Sequence, residues 1–129
     1  DQAIEMIKEL KKSYATIGLV IVLGSVGDAS YYQLLIARIY AYALHDAIFI
    51  MCGQKELWPL LKYAHVFIRP TLSDGYSVSI EEALYLGTCV VASNVCKRPI
   101  GTILYKAGDV VDLNEKISTA LKKECFMQD

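Results

Sequence analysis

The sequence lacks the features of membrane-spanning, secreted and nucleic-acid-binding proteins. No apolar run approaches the length of a membrane-spanning helix. The first residues include Asp1, Glu5 and Glu9, which are atypical of a signal peptide. Positive charge is not in excess, since the net charge is −1. We therefore expect a soluble protein whose partners do not include nucleic acid.

The cysteines lack the spacing of disulfide frameworks and of metal sites. The four of them, Cys52, Cys89, Cys96 and Cys125, form no Cys-x-x-Cys pair. Cys89 falls inside an apolar run, where a cysteine packs as a small hydrophobic side chain. This usage favours a reduced, intracellular protein without a structural metal.

Apolar patterns typical of strands and of helices alternate along the chain. Its 129 residues, 54% of them hydrophobic, are enough for one compact domain. Continuous apolar runs predict strands at residues 17–23, 47–52, 66–69, 89–92 and 103–105, the first of them buried on both faces. Periodic apolar positions predict helices at residues 2–13, 30–44, 54–63 and 113–123, and a short one around Val78, Ala83 and Leu84. Alternation with short links predicts an α/β fold with a doubly wound parallel sheet.

The stretch at residues 70–93 contains the main candidate site. A turn with Asp74 and Gly75 leads into the short helix, whose first N–H groups and dipole attract anions. Gly75 allows a ligand to approach the backbone closely, and Asp74 and Glu82 can accept hydrogen bonds from hydroxyls. In doubly wound sheets, ligands bind beyond the carboxyl ends of the strands, so we expect the loops after residues 23, 52, 69 and 93 at that edge. Binding of phosphate together with hydroxyls indicates a nucleotide sugar.

This stretch resembles the donor-site signature of retaining GT-B glycosyltransferases of the group-one type. It reads Pro-Thr-x-x-Asp-Gly-Tyr-Ser-x-x-x-x-Glu-Ala-x-x-x-Gly-x-x-Val-Val-Ala-Ser, and seven residues separate its two acids, Asp74 and Glu82, as in the family. The family normally has Glu as the first acid and Gly where this chain has Ser77. The resemblance is strongest over residues 66–93 and weak after residue 94. It implies a Rossmann-like doubly wound sheet, the GT-B C-terminal domain.

The resemblance also implies a role for each residue of the site. Asp74 would orient the donor sugar and Glu82 would bind the ribose, as the two catalytic-site acids. The start of the helix would hold the diphosphate, the loop after the second strand would hold the base, and Lys97 would replace part of a phosphate clamp. The substrate-binding residues assigned in this way are Gly75, Tyr76, Ser77, Val78, Ser79, Gly53, Gln54 and Lys97.

By the same resemblance, the donor is a UDP or GDP sugar and acts as a substrate, and no cofactor or metal is expected. A hexose would pass to a glycan, lipid or small-molecule acceptor, as in polysaccharide biosynthesis. The family's first strand and acceptor-binding N-terminal domain are absent from the sequence. We therefore expect the donor half of a larger cytoplasmic enzyme, inactive alone, with peripheral association at the cytoplasmic face of a membrane as an open alternative.

Several of these residues have plainer interpretations. Ser79 and Glu82 fit a capping box, in which Glu82 bonds only to its own helix start. The capping box requires Ser79 to precede the helix, whereas ribose binding suits a helix that begins near Val78. Asp74 is by default a turn-forming residue.

Three further side chains also have plainer interpretations. Lys97 and Arg98 are adjacent cations in a loop, and such residues are usually solvated. Trp58 is interpreted as a packing residue rather than as a stacking platform for a base.

Other functional classes remain as alternatives. A response-regulator receiver has this length and alternation, but Arg69-Pro70-Thr71 stands where a phosphorylatable Asp would end a strand. A sugar-nucleotide epimerase of GT-B type shares the fold and the donor. A non-catalytic nucleotide-binding or interaction domain is the third possibility.

Overall fold

The computed structural model describes residues 2–23, 29–52, 56, 58–72 and 78–127, which form two compact units, Asp1–Lys55 and Glu56–Asp129. Unit 1 contains α1 (Gln2–Leu10), β1 (Leu19–Leu23), α2 (Ala29–Ala41) and β2 (Ile48–Cys52). Unit 2 contains α3 (Trp58–Tyr63), β3 (Val66–Arg69), α4 (Val78–Tyr85), β4 (Cys89–Ser93), β5 (Ile103–Tyr105) and α5 (Val110–Met127). The predicted alternation of strands and helices is confirmed.

In unit 1, β1 and β2 form a two-stranded parallel sheet. The paired residues Val20 and Phe49 are 46% and 65% exposed, so the prediction that β1 is buried on both faces is wrong. The run Leu-Val-Ile-Val-Leu has no polar residue to mark the face that stays uncovered. For this reason the sequence pattern could not show which face of the strand is buried.

Helix α2 ends three residues before its predicted limit because the backbone reverses at Ala43. Ala43 has a left-handed φ of 55°. The N–H of Ala43 donates to the carbonyl of Tyr40 (3.0 Å), and the N–H of Leu44 donates to that of Ile39 (2.9 Å). These two bonds form a Schellman motif, which satisfies the last carbonyls of the helix. Such ends normally use glycine, so alanine here gave no signal in the sequence.

The core of unit 2 is built around β4, the middle strand of a parallel sheet with the order β3-β4-β5. Val90, Val91 and Ala92 are fully buried. On one face Val90 and Ala92 pack with residues of α3 and α4, namely Leu61, Ile80 and Ala83. Helix α5 packs against β4 and β5. Two-sided burial of β4 explains its unbroken apolar run.

Helix α4 buries one face and leaves the opposite face exposed. Ile80 and Ala83 are fully buried and Leu84 packs beside them, whereas Val78 is 64% exposed. At about 100° per residue, Val78 lies about 200° from Ile80, on the opposite side of the helix. The spacing of Val78, Ala83 and Leu84 correctly predicts the helix, and Val78 lies on its exposed side.

The remaining helix starts have local causes. Pro59 is the second residue of α3, in the first turn, where its missing N–H interrupts no intrahelical bond. Helix α5 begins three residues before its predicted start because Asp109 caps it, accepting the N–H of Asp112 at 3.0 Å. Ile117 and Ala120 of α5 are buried.

Tyr105 makes the stability of unit 2 sensitive to alkaline pH. Burial raises the pKa of this phenol to about 12, and the nearby charge of Arg98 opposes part of the rise. In the unfolded chain a tyrosine ionises near pH 10, so the folded state keeps a proton that the unfolded state loses. The stabilisation is fully present below about pH 10 and is lost as the pH rises through about 12, by at most about 3 kcal/mol.

We expect the Tyr105→Phe variant to lose less stability than the wild type between these pH values, because phenylalanine has no proton to lose. Urea unfolding followed by circular dichroism at a series of alkaline pH values measures the difference. Tyr63→Phe, which alters a tyrosine that is 79% exposed, is the control. Parallel decline of the wild type and the Tyr105→Phe variant would contradict the assignment.

Candidate functional site

The loops after β3 and β4 both begin at the same edge of the sheet in unit 2. The two strands are parallel, with Arg69 in register with Ala92. Thr71 lies just beyond the end of β3, and Ser93 and Tyr105 are the paired last residues of β4 and β5. This confirms the predicted common edge for these two loops, and it is the edge at which parallel sheets bind ligands.

Arg98 lies buried at this edge and joins the strand ends by hydrogen bonds. Its Nε donates to the carbonyl oxygen of Ser93 at 3.0 Å, and its Nη2 donates to Ser93 Oγ at 3.0 Å and to Thr71 Oγ1 at 3.3 Å. The residue is only 8% exposed, so the interpretation of Arg98 as a solvated side chain is wrong. Lys97, its neighbour in the chain, is exposed. A cation and two hydroxyl groups thus meet at the carboxyl ends of β3 and β4.

The start of α4 distinguishes the two interpretations of Glu82. Val78 is the first helical residue, so Ser79 lies inside the helix and does not occupy the capping position that the capping box requires. Glu82 stands four residues, about one turn, after Val78 and is exposed. Its carboxylate has no hydrogen-bond or ion-pair partner among the described residues. Glu82 is therefore available to a ligand.

An open groove of about 520 Å³ lies between α3 and α4 in unit 2. Four of its lining residues come from one face of α4 at the spacing i, i+3, i+4 and i+7, one directly follows the end of α4, and one comes from α3; in that order they are Val78, Glu81, Glu82, Tyr85, Leu86 and Trp58. Trp58 is 52% exposed and Tyr85 91% exposed, so neither is a core residue. The groove thus combines two carboxylates with aromatic and aliphatic surface.

The structure brings together only part of the site that the sequence predicts. Val78 and Glu82 line the same groove, and Ser79 is half-buried in the first turn of α4. Lys97 does not line this groove. The other assigned residues lie outside the described part of the chain; they are Gly53, Gln54, Asp74, Gly75, Tyr76 and Ser77.

Sequence reasoning missed four groove residues, Trp58, Glu81, Tyr85 and Leu86, and the buried arginine. Glu81 and Tyr85 follow Val78 by three and seven residues, so the helical period of α4 could have placed them beside Val78 and Glu82, whereas Leu86 lies just after the helix. Trp58 comes from another helix, and its place depends on how α3 packs against α4. The burial of Arg98 depends on the course of a loop, for which no sequence pattern was available.

Two general properties of the described residues complete the description of the site. They contain no group of three or more His, Cys, Asp or Glu side chains placed to hold a metal ion. None of the helices searched in that part of the chain is long and apolar enough to cross a membrane.

Parallel strands alternating with helices define a Rossmann-like α/β fold, with a groove beside the helix that follows β3. The sequence matches the glycosyl transferases group 1 family over residues 1–128, and the chain belongs to that family. No curated protein matches the sequence.

Solved structures with the same fold are those of larger proteins. Anabaena Alr3699/HepE in complex with UDP superposes with a TM-score of 0.79 at 16% identity, over 93% of this chain and 34% of that one. Sucrose-phosphate synthase from Thermosynechococcus elongatus superposes with a TM-score of 0.75 at 20% identity, over 95% of this chain and 33% of that one. A glycosyltransferase from Rickettsia africae superposes with a TM-score of 0.71 at 11% identity, over 92% of this chain and 42% of that one. The chain thus spans between about a third and two fifths of these structures.

Proposed function

We propose that this chain is the donor-binding part of a retaining glycosyltransferase that moves a hexose from a nucleoside diphosphate to an acceptor hydroxyl. Membership of the glycosyl transferases group 1 family carries this proposal. Complexes of the similar HepE protein with UDP and with UDP-glucose support a nucleotide sugar as the donor. The acceptor, a glycan, lipid or small molecule, would bind mainly to another part of the complete enzyme.

Each residue of the proposed site has a chemical task. The N–H groups at the start of α4 and in the turn before it would stabilise the charge that grows on the leaving diphosphate. Asp74 would orient the hexose, and Glu82 would accept hydrogen bonds from the ribose hydroxyls. Lys97 would add positive charge near the phosphates. These groups supply the charge stabilisation without a metal, so we propose that none is required.

Calorimetric titration of the chain with UDP, GDP and their glucose and mannose conjugates tests the proposal. We expect one UDP or GDP donor to bind with a Kd below about 1 mM, since the site offers hydrogen bonds to phosphates and to hydroxyls. Addition of EDTA is the control for metal dependence and is expected to leave the Kd unchanged. A Kd weaker than about 1 mM for every ligand would reject donor binding and favour an interaction domain.

A further inference from the structure

We propose that the groove between α3 and α4 receives the nucleoside of the donor and that Trp58 stacks on the face of its base. This inference rests on the proposed function and specifies which surface meets which part of the ligand. It assigns a binding role to a residue that the sequence pattern alone marks as packing.

The chemistry of the groove matches a nucleoside. Glu82 presents an exposed carboxylate, which accepts hydrogen bonds from hydroxyl groups such as those of ribose. Trp58, on the neighbouring helix, presents a half-exposed indole to the same groove. An aromatic ring stacks on any base, because every base has a π-face. A ligand that has both vicinal hydroxyls and a planar ring uses both features at once.

The position of the groove along α4 supports the same occupant. Val78, the first residue of the helix, is one of the lining residues, so the groove starts at the helix end where we propose that the diphosphate binds. Glu82 lies about one turn, roughly 6 Å, further along the helix. The order from phosphate to sugar to base in a nucleotide then runs along one face of α4 toward α3.

Stacking by Trp58 has a defined effect on specificity. The indole contacts the face of a base and leaves its hydrogen-bonding edge to other groups, so it strengthens binding of pyrimidine and purine nucleotides alike. We therefore expect Trp58 to contribute affinity rather than a preference between UDP and GDP.

Trp58 is the sole tryptophan of the chain, so its fluorescence reports directly on the groove. UDP or GDP, whichever binds more tightly by calorimetry, is titrated into the chain with excitation at the red edge of indole absorption. We expect quenching that saturates with the calorimetric Kd, because a stacked base alters the emission of the indole. Ribose 5-phosphate, which lacks a base, is the matched ligand and is expected to leave the emission unchanged.

Variants make the result independent of fluorescence. Trp58→Ala is expected to weaken nucleotide binding about tenfold, the typical effect of removing one base-stacking ring, and Trp58→Phe is expected to retain most of the affinity. Tyr63→Ala removes an exposed ring from the same helix outside the groove and is expected to leave the Kd unchanged.

The outcomes separate this inference from the proposed function. Calorimetric binding without quenching, with Trp58→Ala binding as tightly as the wild type, overturns the inference while donor binding stands. The groove would then serve another occupant, such as a protein segment. Absence of binding by calorimetry overturns the proposed function and the inference with it.

Discussion

The Glu82→Gln variant is expected to bind the preferred nucleoside diphosphate about tenfold more weakly than the wild type. Hydrogen bonds to a charged acceptor contribute about 1.5–3 kcal/mol, against about 0.5–1.5 kcal/mol for a neutral one, and the amide keeps the size of the side chain. The exposed carboxylate, one turn inside α4 and without a partner among the described residues, is free to make such bonds. Calorimetric titration measures the change in Kd.

A change of ligand shows whether the lost bonds are those to ribose. The 2′-deoxy form of the same nucleotide lacks one hydroxyl, so Glu82→Gln should weaken its binding less than it weakens binding of the ribonucleotide. Glu115→Gln, at an exposed position of α5, is the charge-matched control and is expected to leave both Kd values unchanged. An unchanged Kd with a lowered Tm for Glu82→Gln would instead identify Glu82 as a stabiliser of its own helix.

The Arg98→Met variant is expected to destabilise the fold by about 2–4 kcal/mol. Methionine fills much of the same volume, so the loss comes from the hydrogen bonds that the guanidinium donates to Ser93 and Thr71. Without that donor, the buried oxygens of Ser93, itself fully buried, lose partners that water cannot readily replace. Urea denaturation followed by circular dichroism gives the free energy of unfolding.

Two further variants define the role of Arg98. Lys97→Met removes the adjacent exposed cation and is expected to change the free energy of unfolding by less than about 0.5 kcal/mol. Arg98→Lys keeps the charge but not the planar fork of donors, so an intermediate loss is expected. If Arg98→Met and Lys97→Met unfold at the same urea concentration, the bonds at the strand ends do not contribute to stability.

Strands were the most predictable part of this fold. The bounds of β3 and β5 agree with the predicted residues 66–69 and 103–105, and β4 is one residue longer than predicted, because apolar runs of this kind are too short for a typical helix and so favour strands. Helix ends were less predictable. The end of α2 depends on a left-handed alanine, and the start of α5 on the Asp109 cap, which periodicity does not reveal.

The family motif predicted the region of the site but not its surroundings. The family resemblance, unlike the capping box, placed Glu82 about a turn inside a helix, and the start of α4 at Val78 agrees with that position. The motif contained nothing about Trp58, because the separation between α3 and α4 is set by the packing of Leu61, Ile80 and Ala83 beneath them. Asp74 lies outside the described residues, and its role stays a prediction.

The sequence by itself determined the order of strands and helices and, through the motif at residues 70–93, the family, because these depend on local periodicity and on spacing along the chain. Only the tertiary structure decided that Arg98 is buried and that Trp58 shares a groove with Glu82. Burial depends on which distant segments pack over a residue. The packing of these segments is determined when the whole core forms, so no local sequence pattern predicts it.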